Sequence, residues 1–215
     1  MGIITHVVFA LMLGSPFPVD VDRVACPGEP PQLVLKPGGP PEDRPIPDSP
    51  YFPAGVFDFT RSCHLNTLWL AEFGEAPLVA RPGVQEMRFI WMRSFHAPMI
   101  FRASIRAGSA SSMLVWKRAG RGNRYHGDIA SLSGEIELSG DQSAELLELA
   151  NAAVFCEPTE SEPPMNDGAY WIFELANDRE YCFHEIQSPS DSAEYDLGRV
   201  LIDLSGIEIP EDDIY

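Results

Sequence analysis

The stretch GAYWIFELANDREYCFHEIQ, Gly168 to Gln187, decides the fold. Two runs rich in aromatic and branched apolar residues flank Asn177-Asp178, a candidate two-residue turn, and together they read as a β-hairpin. Pairing about that tip makes partner numbers sum to 355, which sets Trp171 opposite His184, Phe173 opposite Cys182 and Leu175 opposite Glu180. Side chains alternate across a strand, so Cys182, His184 and Ile186 share a face with Trp171 and Phe173.

Working outward, the next segment upstream is SGDQSAELLELANAAVF. Here Ser139 followed by Gln142 makes a capping box, and Leu146, Leu147, Ala150, Ala153 and Val154 form a stripe at helical spacing. Pro158 ends that helix, and an acidic loop, EPTESEPPMNDG, leads into the hairpin. Downstream, SPSDSAEYDLGRVLIDLSG predicts a second helix with Ser188 as N-cap, Pro189 in its first position, Leu197, Val200, Leu201 and Leu204 inward, and Gly206 after its end. The final residues, 210–215, read as an acidic, mobile tail.

Further upstream, EMRFIWMRSFHAPMIFRASIRAG alternates, with Met87, Phe89, Trp91 and Arg93 on one side and Arg88, Ile90, Met92 and Ser94 on the other. It predicts a strand broken near Ala97-Pro98 and resumed beyond, because proline interrupts a ladder. Two more strands follow, SMLVWKRA and GEIELSG, separated by the turn-rich GRGNRYHGD. Ahead of them, Leu65, Leu68, Trp69 and Phe73 are spaced for a short helix that Gly74 stops. Helix, strands, helix, hairpin, helix, with no βαβ alternation, indicates α+β. The expected organisation is an apolar start and proline-rich extended arm over 1–56, a single mainly antiparallel α+β domain with about three helices over 57–209, and the tail over 210–215.

The chain has 215 residues, which suits one domain with a sizeable core. Its net charge of -17 is unevenly spread: residues 1–80 carry -5, residues 81–124 carry +8 and residues 125–215 carry -20. Nucleic-acid binding needs a continuous basic face, and the C-terminal half would repel phosphates, so no nucleic-acid partner is expected. The basic middle either pairs with the acidic parts inside the fold or gives a bipolar surface that steers a charged partner. The apolar run from Val7 to Leu13 is too short to span a membrane. It has signal-peptide length without a positive flank, so periplasmic or secreted and cytoplasmic locations both stand. Cys26, Cys63, Cys156 and Cys182 are too few for a disulfide scaffold; disulfides are expected if the chain is exported and free buried thiols if it is not.

Cys182 and His184, side by side on one strand face near Trp171, are the weak site candidates. They supply two ligands where structural zinc takes four and catalytic zinc three, and no spacing brings His64, His96 or Cys156 to them. The plain alternative is packing, with His184 on Trp171 and Cys182 beside Phe173. No nucleophile elbow, HExxH, phosphate loop or CxxC is present, and no metal or other cofactor is expected. The candidate binding surface is RFIWMRSFHAP, with Arg88, Trp91, Arg93, Phe95 and His96, since Trp and Arg concentrate at binding hot spots. Its plain alternative is a core strand whose arginines reach solvent at the edge.

The landmarks HLNTLWLAEFGEAPL, RFIWMRSFHAP, FCEP, DGAYWIFE and EYCFHEIQSP, in this order over residues 57–209, resemble a family of uncharacterised bacterial proteins often described as hypothetical or secreted. The chain departs from that pattern at Tyr181-Cys182, where the family has an aromatic residue followed by histidine, and at Ile186-Gln187, where it has Arg-Trp. The resemblance implies a shared fold and carries no activity. The residues themselves point first to a non-enzymatic protein-binding module, one concrete form being an acidic immunity- or inhibitor-like protein with a basic protein partner of unknown identity. The alternatives are a hydrolase or metal-dependent enzyme using His96, Cys182 and His184, and an envelope protein tethered by its N-terminus.

Overall fold

A computed structural model describes residues 51–52, 66–67, 69–71, 73–79, 81–106, 111–119, 132–153, 155, 167–178 and 180–215. Alternating apolar residues build six strands: β1 (Val84–Arg93), β2 (Met99–Arg106), β3 (Ser112–Arg118), β4 (Leu132–Leu138), β5 (Ala169–Ala176) and β6 (Tyr181–Gln187). All neighbours are antiparallel, in the order β4-β3-β2-β1-β5-β6, so β1 to β4 form a meander and the late hairpin adds to the other side of β1. The break at Ala97-Pro98 falls between β1 and β2, as the sequence predicts. The fold is α+β.

The hairpin register differs from the expected one by two positions. Phe173 pairs with His184, Leu175 with Cys182 and Ala176 with Tyr181, so the connection spans Asn177 to Glu180. Asn177 closes this longer loop: its side-chain carbonyl accepts from the Glu180 amide at 3.0 Å, and its own amide donates to the Glu180 carbonyl at 3.1 Å. An even shift preserves face parity, which is why Cys182, His184 and Ile186 still share a face with Trp171 and Phe173.

Two α-helices cover that face. Helix α1 (Gly140–Ala152) starts at Ser139 with the complete capping box, Ser139 Oγ accepting from the Gln142 amide and Gln142 Oε1 from the Ser139 amide. Its buried stripe is Ser143, Leu146 and Ala150, with Leu147 packed at the margin. Val154, also assigned to the stripe, lies outside the described residues. Helix α2 (Ala193–Leu204) is capped by Ser192, four residues later than Ser188-Pro189 would place it. Ser188 is instead bound to the sheet, its amide donating to the Ala169 carbonyl and its hydroxyl accepting from the Ala169 amide at 3.0 Å. Helix α2 buries Leu197 and Leu201 as expected, and also Gly198 and Ile202. Gly206 follows at φ 69°, a left-handed conformation suited to glycine.

Between helices and sheet lies an aromatic core. Phe89 stacks on Phe173 at 4.7 Å between centroids and on Phe101 at 5.5 Å, with Trp91, Trp171, Phe155 and Tyr195 continuing it. A second, smaller core sits on the opposite face, where Ile90, Ile100 and Ile172 meet Leu70, Phe73, Tyr51 and Phe52. Tyr51 and Phe52, placed in the arm by the sequence, are thus buried in the domain. Asn66, Thr67, Trp69, Leu70 and Ala71 are helical, and Gly74 at φ 60° turns the chain after them. The rest of the arm, Leu65 and Leu68 lie outside the described residues.

The acidic tail is not loose. Glu211–Asp213 forms a 3-10 turn, Arg199 Nη1 donates to Glu211 Oε2 at 2.9 Å, and Ile214 and Tyr215 pack on the larger core. The expectation of a mobile tail fails because Ile214 and Tyr215 give it apolar surface to bury and polar anchors to reach.

Candidate functional site

The face beneath the smaller core carries a buried charge network that composition hints at and spacing does not reveal. Arg88 is fully buried. Its Nε donates to Glu174 Oε2, its Nη1 donates to the Ala76 carbonyl at 2.8 Å, and Glu75 lies 3.7 Å away. Tyr181 donates its hydroxyl to Glu174 Oε1 at 2.6 Å. Lys117 Nζ reaches Glu75 Oε1 at 2.6 Å and also donates to the Phe73 carbonyl. Arg102 Nε and the Ser104 hydroxyl both donate to Glu86 Oε2, at 3.3 and 2.7 Å. Desolvation alone would lower the Arg88 pKa, but Glu174 outweighs it and leaves the guanidinium more firmly protonated than in water.

This network takes up part of the basic middle of the sequence. Arg88, Arg102 and Lys117 turn inward and are neutralised by Glu75, Glu86 and Glu174, two of which lie outside the acidic C-terminal half. The opposite surface is left acidic: Asp141, Glu145 and Glu148 on α1, Asp196 and Asp203 on α2, and Glu208, Glu211 and Asp212 beyond it are all exposed. Arg199 is the one basic residue on these elements, and it is engaged by Asp203 and Glu211.

The five residues of RFIWMRSFHAP do not form one surface. Arg88 and Trp91 are buried on opposite faces of β1, so Arg88 does not reach solvent at an edge. Arg93 is 7% exposed, with its guanidinium 4.2 Å from the Trp91 ring centroid. Burial, then repulsion from Arg118, lowers its pKa to about 10, against opposing pulls from Tyr215 and Asp213. Phe95 is 60% exposed, and His96 stands half-buried beside the tail, Nδ1 at 3.1 Å from the Tyr215 hydroxyl and Nε2 at 3.6 Å from Asp213.

Trp171, Cys182 and His184 are buried. Cys182 is disulfide-bonded, so it offers no thiolate as nucleophile or metal ligand in this state. His184 meets Phe155 edge-on at 6.0 Å rather than stacking on Trp171, and burial, opposed by Glu194, lowers its pKa. Among the described residues no three His, Cys, Asp or Glu side chains converge to hold a metal. His96 lies past the end of β1, two strands from His184, so the enzyme reading finds no constellation there. GRGNRYHGD and residues 157–166 of EPTESEPPMNDG, read as loops, lie outside the described residues, while the Gly168 carbonyl at the end of the latter accepts from the Ser94 amide at 2.9 Å. Glu185, which accepts from Asn66 Nδ2 at 3.4 Å, has its pKa raised by burial. No helix among the described residues is long and apolar enough to cross a membrane.

No protein-family model, curated protein or solved structure matches the chain.

Proposed function

We propose that the chain is a non-enzymatic protein-binding module whose acidic helical face takes a basic protein partner, in the manner of an immunity or inhibitor protein. The observation that carries this reading is the allocation of charge. Arg88, Arg102 and Lys117 are turned inward against Glu75, Glu86 and Glu174, while Asp141, Glu145 and Glu148 of α1, Asp196 and Asp203 of α2, and Glu208, Glu211 and Asp212 after it stay exposed with only Arg199 among them. A surface of one sign raises the encounter rate with a partner of the other and repels acidic competitors.

The experiment is capture of partners from native extract by the tagged chain and by a variant carrying Asp141→Lys, Glu145→Lys and Glu148→Lys, each washed at rising salt. The reading expects one stoichiometric basic companion on the wild type, released steeply as salt rises and absent from the variant. Equal retention by both chains would remove α1 from the interface.

A further inference from the structure

At the end of the sheet where β1 and β5 meet the tail, polar groups of the sheet converge on Asp213 and Tyr215. The indole Nε1 groups of Trp91 and Trp171, side chains of two adjacent strands, both donate to the Tyr215 main-chain oxygen, at 3.3 and 2.9 Å. The Tyr215 hydroxyl stands 3.4 Å from the Phe95 amide and 3.1 Å from His96 Nδ1, and Asp213 faces the other nitrogen of that ring at 3.6 Å. Beside them, Arg93 Nε is buried with no hydrogen-bond partner. The sheet and the turn after β1 face the oxygens of Asp213 and Tyr215 here, and the Ala97 carbonyl accepts from Arg93 Nη2 at 2.7 Å.

The rim is apolar. The exposed large hydrophobic residues among those described are Phe95, 60% exposed, and Leu132, 54% exposed. Both lie at this same end, because Leu132 pairs with Arg118, which pairs with Met99 at the start of β2. Arg118 adds positive charge close enough to depress Arg93.

We infer that this end of the sheet is a peptide-binding groove, occupied in cis by the chain's own Asp213-Ile214-Tyr215, that accepts a partner segment of the same chemistry: an acidic residue, an aliphatic residue and an aromatic hydroxyl. The tail shows which chemistry fits. Carbonyl and phenol oxygens meet fixed donors, a carboxylate meets His96 beside Arg93, and Phe95 extends the contact outward. The tail reaches the groove through residues 207–210, which belong to no helix or strand, so it can leave without unpairing the sheet. A tethered ligand holds its site at a high effective concentration, so an incoming peptide competes poorly until the tail is weakened. The groove shares the 208–212 segment with the acidic face proposed above but no residue of α1, so the charge reversal on α1 and the experiment below fail independently.

The test uses the full-length chain labelled with ¹⁵N, with the indole signals assigned through Trp91→Phe and Trp171→Phe. The probe is a synthetic peptide of residues 209–215, IPEDDIY, and a control peptide in which its tyrosine is alanine. Full-length Tyr215→Ala is expected to bind IPEDDIY at least about tenfold more tightly than the wild type does, shifting the Trp91 and Trp171 indole signals, and to ignore the control peptide. No shift at those two signals, or equal binding of both peptides, overturns the groove. If Tyr215→Ala does not fold, hydrogen exchange in the wild type decides instead. Indole protons of Trp91 and Trp171 exchanging about tenfold or more faster than neighbouring β1 and β5 amides support a separable tail, and equal exchange overturns it.

Discussion

Arg88 shows how a strand residue read as an edge arginine becomes part of the interior. Its even position sends it to the face away from the helices, and that face is closed by Tyr51, Phe52, Leu70 and Phe73 rather than by water. A buried ion pair adds little to stability against an apolar substitute, but breaking one leaves an uncompensated charge inside. Glu174→Gln is therefore expected to cost about 3–5 kcal/mol, read as a lower midpoint in denaturant unfolding. An unchanged midpoint would mean that water reaches Arg88. Two neighbours on β6 give pH effects of opposite sign. Burial raises the Glu185 pKa, so its contribution is intact below the ordinary carboxylate range near pH 4 and is lost as pH rises through the folded value. Glu185→Gln should raise Tm at neutral pH and leave it unchanged at about pH 3.5. Burial depresses His184, so its contribution is present above about pH 6.5 and is lost as pH falls through the folded value. His184→Gln should flatten the loss of Tm on that acid side, and a slope identical to wild type would place His184 in water.

At the scale of elements, close approach explains two glycines. A Cβ on Gly198 would lie 2.1 Å from the Trp171 ring, and one on Gly134 would lie 2.6 Å from Trp116 Nε1. Gly198 lets α2 settle onto the aromatic core, so Gly198→Ala is expected to destabilise by about 1–3 kcal/mol despite the better helix propensity of alanine. A gain in Tm would show that α2 sits further from the sheet. Ser139→Ala removes a capping side chain and should cost about 1 kcal/mol in the same assay. The capping box, both helix stripes, the break at Pro98 and the alternation of β1 were legible because each rests on local chemistry. The hairpin register and the start of α2 were not. Asn177-Asp178 resembles a tight turn, yet Asn177 closes a longer one through its side chain, and Ser188-Pro189 imitates a helix start that the sheet claims through Ala169.

Over the whole molecule, the segregation of charge was visible in the sequence, but its direction was not. Nothing in the spacing of Glu75, which follows the turn at Gly74, links it to Lys117 or Arg102, because such contacts arise only when the 73–79 segment folds over β1 to β3. The second core was missed for the same reason: Tyr51 and Phe52 sit in a proline-rich stretch that composition assigns to an arm. The docked tail was missed because its acidic residues mask Ile214 and Tyr215.

Arg88, Arg102 and Lys117 serve the interior of the fold, and the acidic helical face is proposed to meet a partner. The most direct measurement compares two variants in one salt-graded capture, with unfolding followed in parallel: Glu75→Gln, which disturbs the inner network, and Glu145→Lys with Glu148→Lys, which alter only exposed positions. The outer variant is expected to keep its stability and lose the basic companion, while the inner variant loses stability and, where folded, keeps the companion. An outer variant that holds the same companion with the same salt dependence would contradict it.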